Sequence, residues 1–464
     1  MSITGIIIAF IFGVSFLNFF MGKFSFIEIL GFSFPVGLGV ITILMFLLDI
    51  VGINLSVKSI LTITIVSIVL LNYQVFIKPG EIISKLKAIN LKSFFYVGKF
   101  NFVWLILIIA VILVLTGISI KSLFWPTVAS DSLSSFDLYG RIIAIEGKML
   151  NSLIYEKSVG WGAAYPPLYA LSLAYSYIFE FETSKIIPTL FFISFIISFY
   201  ALLIKNGSSI GAIIATFFLI VSPELLGQSA INTPSVPQAM YGSLGIIAIF
   251  TWHQTKENKY LLLSVVLLAL NAWIRSEGIV YIGAAFLFYA YVQIPKKEYL
   301  KPLLFLVATL LPFIVWQVFL KVHSDLMHQF VQAEILLKPR IDGEYLSQIY
   351  KWTKINFFHS IYFGITIYAF LGAVVINLIA IYKKKDSLIK LALVLIPLFA
   401  YLVLLNQLKL NADTIEGIMK SSSKRFFIGI ITLMWFYIVQ VNPIKNLFIY
   451  IDVFLSTPKN QEQQ

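Results

Sequence analysis

The chain has 464 residues, 59% of them hydrophobic and 12% charged, whereas a soluble domain carries about 45–50% apolar and about 25% charged residues. That balance excludes an ordinary cytosolic enzyme and a disordered tail, and the absence of cysteine excludes a disulfide scaffold, a thiolate nucleophile and thiolate metal ligands. In so apolar a chain the net charge of +12 points to Lys-rich cytoplasmic loops rather than to nucleic acid as a partner.

A hydrocarbon core of about 30 Å takes about 20 mostly apolar residues to cross. Such runs stand almost end to end: Ile3–Met21, Ile27–Leu48, Ser59–Ile77, Phe102–Ile120, Ile186–Ile204, Ile210–Val221, Ala239–Trp252, Tyr260–Ile274, Ile279–Val292, Leu303–Leu320, Phe357–Tyr382, Leu388–Leu405 and Phe426–Val441. They predict an all-α polytopic membrane protein of about 13 transmembrane helices. No basic residue precedes Lys23, so the first run lacks the basic start of a secretory signal and is read as a retained helix.

Lysines and arginines set the orientation. Lys78, Lys85, Lys87, Lys92 and Lys99 face a single acid, Glu81, between positions 78 and 99. Lys256 and Lys259 follow, then Lys296, Lys297 and Lys301, then Lys383, Lys384, Lys385 and Lys390. These segments are expected inside. Leu123–Ala164 and Lys321–Lys351 have no basic excess and are expected outside. With both assignments, the apolar stretch Tyr165–Phe179 cannot cross on its own. It must be re-entrant or interfacial. Lys85–Lys99 reads as an amphipathic helix on the cytoplasmic face, its lysines beside Leu86, Ile89 and Phe95. The organisation expected is therefore 1–100, three leading helices and this linker; 101–441, the main membrane module; and 442–464, a short C-terminal tail. Gly207 and Gly211 have small-xxx-small spacing for helix packing.

Ionisable groups beside spans are costly and mark candidate sites. In Asp131-Ser-Leu-Ser-Ser-Phe-Asp137-Leu-Tyr-Gly-Arg141, a helix is expected from Phe136. Asp137 and Arg141 then pair four residues apart. Asp131 precedes that helix and is either its N-cap or a general base at the membrane surface. Tyr165-Pro166-Pro167 stops one element and suits the first turn of the next. In Trp273-Ile-Arg275-Ser-Glu277-Gly278, arginine and glutamate lie two apart, so a straight helix would aim them to different sides. Arg275 is either an interfacial residue in a tight turn or a fork for phosphate oxygens. Lys424 and Arg425 open the last span as headgroup anchors or substrate contacts. The four histidines form no HExxH and no P-loop is present.

Taken in this order, the clusters resemble the GT-C superfamily of integral-membrane glycosyltransferases, which includes transferases of mannose and aminoarabinose from polyprenyl-phosphate carriers. The shared pattern runs from Phe102 to Val441: Asp131 in the first long outer loop, Tyr165-Pro166-Pro167-Leu168 opening a hydrophobic helix, a Pro-containing outer loop from Ser222 to Pro234, Arg275 shortly before Gly278, and a late Arg425. Ser132 stands where many relatives have a second acid, and Asn232-Thr-Pro-Ser235 lacks an Asp that often occurs there. The resemblance implies a GT-C-like module at 101–441, with interfacial helices in the first outer loop. It implies transfer of a sugar from a polyprenyl phosphate to a lipid, glycan or protein hydroxyl, at the outer face of a bacterial cytoplasmic (inner) membrane, with membrane lipids and not nucleic acid as further partners. Asp131 and Asp137 are then the catalytic candidates. Arg141, Tyr165, Pro166, Pro167, Arg275, Glu277, Lys424 and Arg425 are the substrate-binding candidates, with no cofactor or metal in the expected set. A lipid-linked glycan flippase or other secondary transporter, and an O-antigen-type ligase or polymerase, are the alternatives.

Overall fold

A computed structural model describes residues 2–22, 24–73, 102–127, 129, 131–156, 165–180, 185–323, 343–407 and 412–456. The expected linker helix Lys85–Lys99, the end of the third apolar run and most of the loop Lys321–Lys351 lie outside the described residues. No strand occurs among those described, and eight helices are long and apolar enough to cross a membrane.

In chain order, the leading helices are α1 (Ser2–Met21), α2 (Phe26–Ile50) and α3 (Val57–Leu71). After α4 (Phe102–Phe124), a π-helical turn at Ser132–Phe136 runs into α5 (Asp137–Glu146), followed by the short α6 (Ser152–Tyr155) and then α7 (Leu168–Ile178). Next come α8 (Ile186–Asn206), α9 (Ser209–Ile220), α10 (Pro223–Gln228), α11 (Ser235–Thr255) and α12 (Asn258–Ile274). A 3-10 turn at Ser276–Gly278 leads into α13 (Ile279–Gln293), and α14 (Leu300–Val322) follows. The rest comprises α15 (Gly343–Phe358), α16 (Ser360–Phe363), α17 (Thr366–Tyr382), α18 (Ile389–Gln407), α19 (Ala412–Lys420), α20 (Ser422–Gln440) and α21 (Asn442–Ser456).

The extremes of hydropathy and of burial fall on opposite helices. The most apolar window, in α4 at mean hydropathy 3.0, is only 11% buried, while that of α20, at 1.3, is 83% buried. Helices facing lipid must be apolar all round; helices facing protein can carry polar groups that find partners there. The centre is α11, buried without a break from Ser235 to Trp252 and packed on α8, α12, α13 and α20. Its serines, glycines and Gln238 make it less greasy than the rim, which is why the apolar run alone shows only Ala239–Trp252.

The three leading helices belong to the same core. Tyr241 of α11 donates to the Pro35 carbonyl (2.6 Å), and Trp273 of α12 donates through Nε1 to Thr42 (3.2 Å). Tyr260 donates to Glu28 (2.5 Å), whose other oxygen accepts the Ser25 N–H and closes a capping box at the start of α2. Helices α1 and α2 touch backbone to backbone: a Cβ on Gly37 would sit 1.9 Å from the Ala9 carbonyl oxygen. Of the small-xxx-small pair Gly207 and Gly211, one member serves helix packing. Gly207 lies at the α8–α9 turn and Gly211 faces Phe448, so the pair is no helix-dimer motif.

Call the end where α2 passes to α3 the upper end. There Met149 N–H donates to Asp49 (3.1 Å), and Leu55 N–H to the Gly147 carbonyl (2.7 Å). Tyr165 approaches the C-terminus of α12 at this end, and Tyr175 donates to the Gly5 carbonyl (2.7 Å) at the start of α1. The chain resumes at Lys185, whose Nζ donates to the Trp125 carbonyl just past α4. Both ends of α7 are thus at the upper end. Its 11 residues span about 16 Å, roughly half a hydrocarbon core. Tyr165–Phe179 is a buried element whose helix is too short to cross on its own.

Two stretches differ from expectation. Phe357–Tyr382 is not one helix: α15 stops at Phe358, His359 is extended, Gly364 takes a positive φ of 59°, and α17 begins only at Thr366. Residues 442–456, expected as part of a short C-terminal tail, form α21, whose Asp452 accepts the Ser209 and Ile210 N–H groups at the start of α9.

Gly37→Ala is expected to lower thermal stability in detergent by about 1–3 kcal/mol, because the added methyl forces two backbones apart. Gly283→Ala, with nothing within 4 Å of its Cβ, is the control and should be neutral or stabilising.

Candidate active site

Helix α12 ends at Ile274 because Arg275 turns extended (φ −153°, ψ 143°), while its N–H still bonds the Asn271 carbonyl (3.2 Å). The following turn folds back so closely that a Cβ on Gly278 would lie 2.6 Å from the Asn271 oxygen. Only glycine fits there. This break makes the tight turn that is one reading of the segment, and in it Arg275 and Glu277 meet, with Nη2 to Oε1 at 2.8 Å. Arg275 Nη1 donates to Gln238 (3.2 Å), and the guanidinium lies 5.1 Å from the centre of the Tyr165 ring.

Pro166 and Pro167, buried at the start of α7, fix where Tyr165 sits. The Tyr165 ring packs on Phe136 of the π-helical turn at 5.5 Å, and Phe136 packs edge-on against Tyr169 at 5.8 Å. Burial pushes the Tyr165 phenol above its ordinary range, with the adjacent Arg275 charge pulling it back. Tyr401, near the end of α18, stacks on Phe426 at 3.7 Å and lies within electrostatic reach of Arg275 and Glu277.

Asp131 is at the edge of this cluster. It sits just before the π-helical turn without capping it, and instead takes an ion pair from Arg425 at the start of α20. The pair is partly exposed: 49% of the Asp131 side chain and 23% of the Arg425 side chain. Lys424 points elsewhere, its Nζ 4.0 Å from the centre of the Tyr362 ring. The adjacent basic residues therefore do different things.

Asp137 is set apart from Asp131 in kind. Its side chain is 8% exposed, and Oδ1 accepts from the Tyr177 hydroxyl (2.8 Å) and from Asn232 Nδ2 (2.9 Å). Arg141 lies 3.9 Å away, the expected i,i+4 partner, and also meets Tyr177 by hydrogen bond and over its ring. The Tyr177 hydroxyl holds the Arg141 guanidinium above its usual range. Asp137 and Arg141 thus fasten α5 to α7 and to the Asn232 loop.

The structure brings together Asp131, Tyr165, Arg275, Glu277 and Arg425, with Pro166 and Pro167 as supports. It leaves Asp137, Arg141 and Lys424 in neighbouring contacts. Gln238 and Tyr401 join the site without having been expected. Gln238 carries a signal in hindsight, a polar amide in a buried apolar run; Tyr401 carries none.

Several buried polar atoms gather here without a hydrogen-bond partner: Arg275 Nε, Glu277 Oε2, Gln238 Nε2 and both amide atoms of Asn271. Such a concentration is uncommon in a native interior and is a feature of sites that receive a polar ligand or water. The four charges, Asp131, Glu277, Arg275 and Arg425, sum to zero. Each guanidinium already has a carboxylate partner, so an arriving anion must compete for it. Among the described residues no group of three His, Asp or Glu side chains gathers as metal ligands would. No protein family, curated protein or solved structure matches the chain.

Glu277→Gln leaves Arg275 buried without its counter-charge. A loss of about 3–5 kcal/mol is expected, visible as a lower midpoint in a thermal unfolding assay of the detergent-purified protein.

Proposed function

We propose that the chain is a membrane glycosyltransferase that moves a sugar from a polyprenyl-phosphate carrier to an acceptor hydroxyl. The observation that carries this reading is the partly exposed Asp131–Arg425 ion pair beside the buried Arg275 cluster. It sets a carboxylate able to take a proton next to guanidiniums able to hold phosphate oxygens.

In this mechanism the lipid phosphate competes with Asp131 for Arg425, because guanidinium forms forked, charge-assisted bonds to phosphate. Asp131 is released in the same event. The acceptor oxygen then attacks the anomeric carbon, its proton passes to Asp131, and the bond from that carbon to the phosphate oxygen breaks. Displacement from the opposite side inverts the anomeric centre. A single carboxylate suffices because the phosphate leaves as an anion without needing a proton. Arg425, and Arg275 behind it, stabilise the charge that builds on the leaving oxygens.

Charge supports placing the site outside. The turns at the lower end carry Lys256, Lys259, Lys296, Lys297, Lys301, Lys383, Lys384 and Lys385, and basic loops stay in the cytoplasm. The upper end then faces outward from a bacterial cytoplasmic membrane, where the acceptor is a lipid, glycan or protein.

Asp131→Asn should lower transfer from a defined polyprenyl-phosphate sugar by about 10²–10⁴-fold, the usual contribution of a positioned base, with expression and thermal stability unchanged. The assay is product formation from a panel of such donors with the reconstituted protein. Turnover equal to that of the unaltered protein would remove Asp131 from the chemistry.

A further inference from the structure

A second polar centre lies at the lower end, across the bundle from Asp131. The turn from α17 to α18 meets the turn from α20 to α21 through Lys390 and Asp386. Lys390 Nζ uses all three of its protons: on Asp386 Oδ1 (2.9 Å), the Gln440 carbonyl (2.6 Å) and Asn442 Oδ1 (2.7 Å). Asp386 also accepts the Ser387 and Asn442 N–H groups, each at 2.8 Å. The two side chains are 10% and 1% exposed. This is a closed frame, with no proton or lone pair of Lys390 left to offer.

Beside the frame opens a cavity of about 320 Å³, and Gln254, Ser387 and Lys445 line it together with the frame residues. At about 30 Å³ per water, it has room for roughly ten waters, enough for a phosphate group with part of a headgroup. Phe250 is its one apolar lining residue.

Lys445 is the member without a counter-ion. Its Nζ reaches Gln440 Oε1 only at 3.5 Å, and no ion pair holds it among the described residues. Burial and the neighbouring Lys390 charge both press its ammonium toward losing its proton, against the weaker pull of Asp386. Asp386 balances one of the two lysines, so the cavity keeps an uncompensated positive charge. Exposed Lys383, Lys384 and Lys385 at the end of α17 extend the same field outward.

We propose that this cavity is a binding site for a phosphate group, with Lys445 as its principal ligand. Its place at a basic turn between membrane helices suits the phosphodiester of an anionic phospholipid headgroup. Bound there, a lipid phosphate would tie α21 to the α17–α18 turn. The inference does not rest on the glycosyltransferase reading.

The test uses the full-length protein in detergent, titrated separately with short-chain phosphatidylglycerol and with inorganic phosphate and followed by native mass spectrometry. Binding of either ligand is expected, with Lys445→Gln weakening it about fivefold, the effect of one lysine at a membrane surface. Lys445→Arg should keep it. Lys296→Gln removes an equal charge from another turn at the same end and should leave it unchanged. Binding of the phospholipid alone assigns the cavity to headgroups; competition by inorganic phosphate assigns it to the free anion as well. Undiminished binding by Lys445→Gln, or an equal loss in Lys296→Gln, would overturn the proposal by showing diffuse charge in place of a site.

Discussion

The upper end of the molecule depends on one buried ion pair, Arg275–Glu277. A guanidinium near the hydrocarbon core is unfavourable unless a carboxylate and hydrogen-bond partners surround it. Here the chain supplies them by ending α12 at Ile274, turning Arg275 extended and returning through Gly278. Gln238 from α11, Tyr165 from before α7 and Tyr401 from α18 close around the pair. Four segments distant in sequence thereby meet at one point. The same convergence brings the start of α20, with Arg425, within reach of Asp131.

This arrangement explains why two acids six residues apart have different surroundings. Asp137 is inside the helix packing, holding α5 to α7 through Tyr177. Asp131 is at the rim, held among the described residues by a partly exposed arginine. A buried carboxylate with two hydrogen-bond donors is costly to disturb, whereas a rim ion pair contributes little and is exchanged readily. If an anion draws its arginine away, Asp137 keeps the Tyr177 and Asn232 donors, whereas Asp131 is released.

How much of this was readable from the chain follows from the range of each interaction. The all-helical character and eight long apolar helices were, because an apolar run of about 20 residues is a local property. The Asp137–Arg141 contact was readable from helical spacing. The Arg275–Glu277 contact was not, since spacing on a straight helix argues against it and only the break at Ile274 permits it. Asp131 and Arg425 are separated by 294 positions, so no local pattern joins them. The α1–α2 contact through Gly37 and the entry of Tyr401 depend on which helix lies opposite, which composition does not encode. The run Phe357–Tyr382 is interrupted at extended His359 and at Gly364 with its positive φ, two residues within a stretch that reads as a single apolar span.

The central claim is that Arg425 exchanges Asp131 for a lipid phosphate. Equilibrium binding of a sugar-free polyprenyl phosphate to the reconstituted protein tests it most directly, because no chemistry intervenes. The account predicts that Asp131→Asn binds this lipid at least as tightly as the unaltered protein, since the competing carboxylate is gone, and that Arg425→Gln binds it more weakly. Equal affinity in all three proteins, or weaker binding in Asp131→Asn, would contradict it.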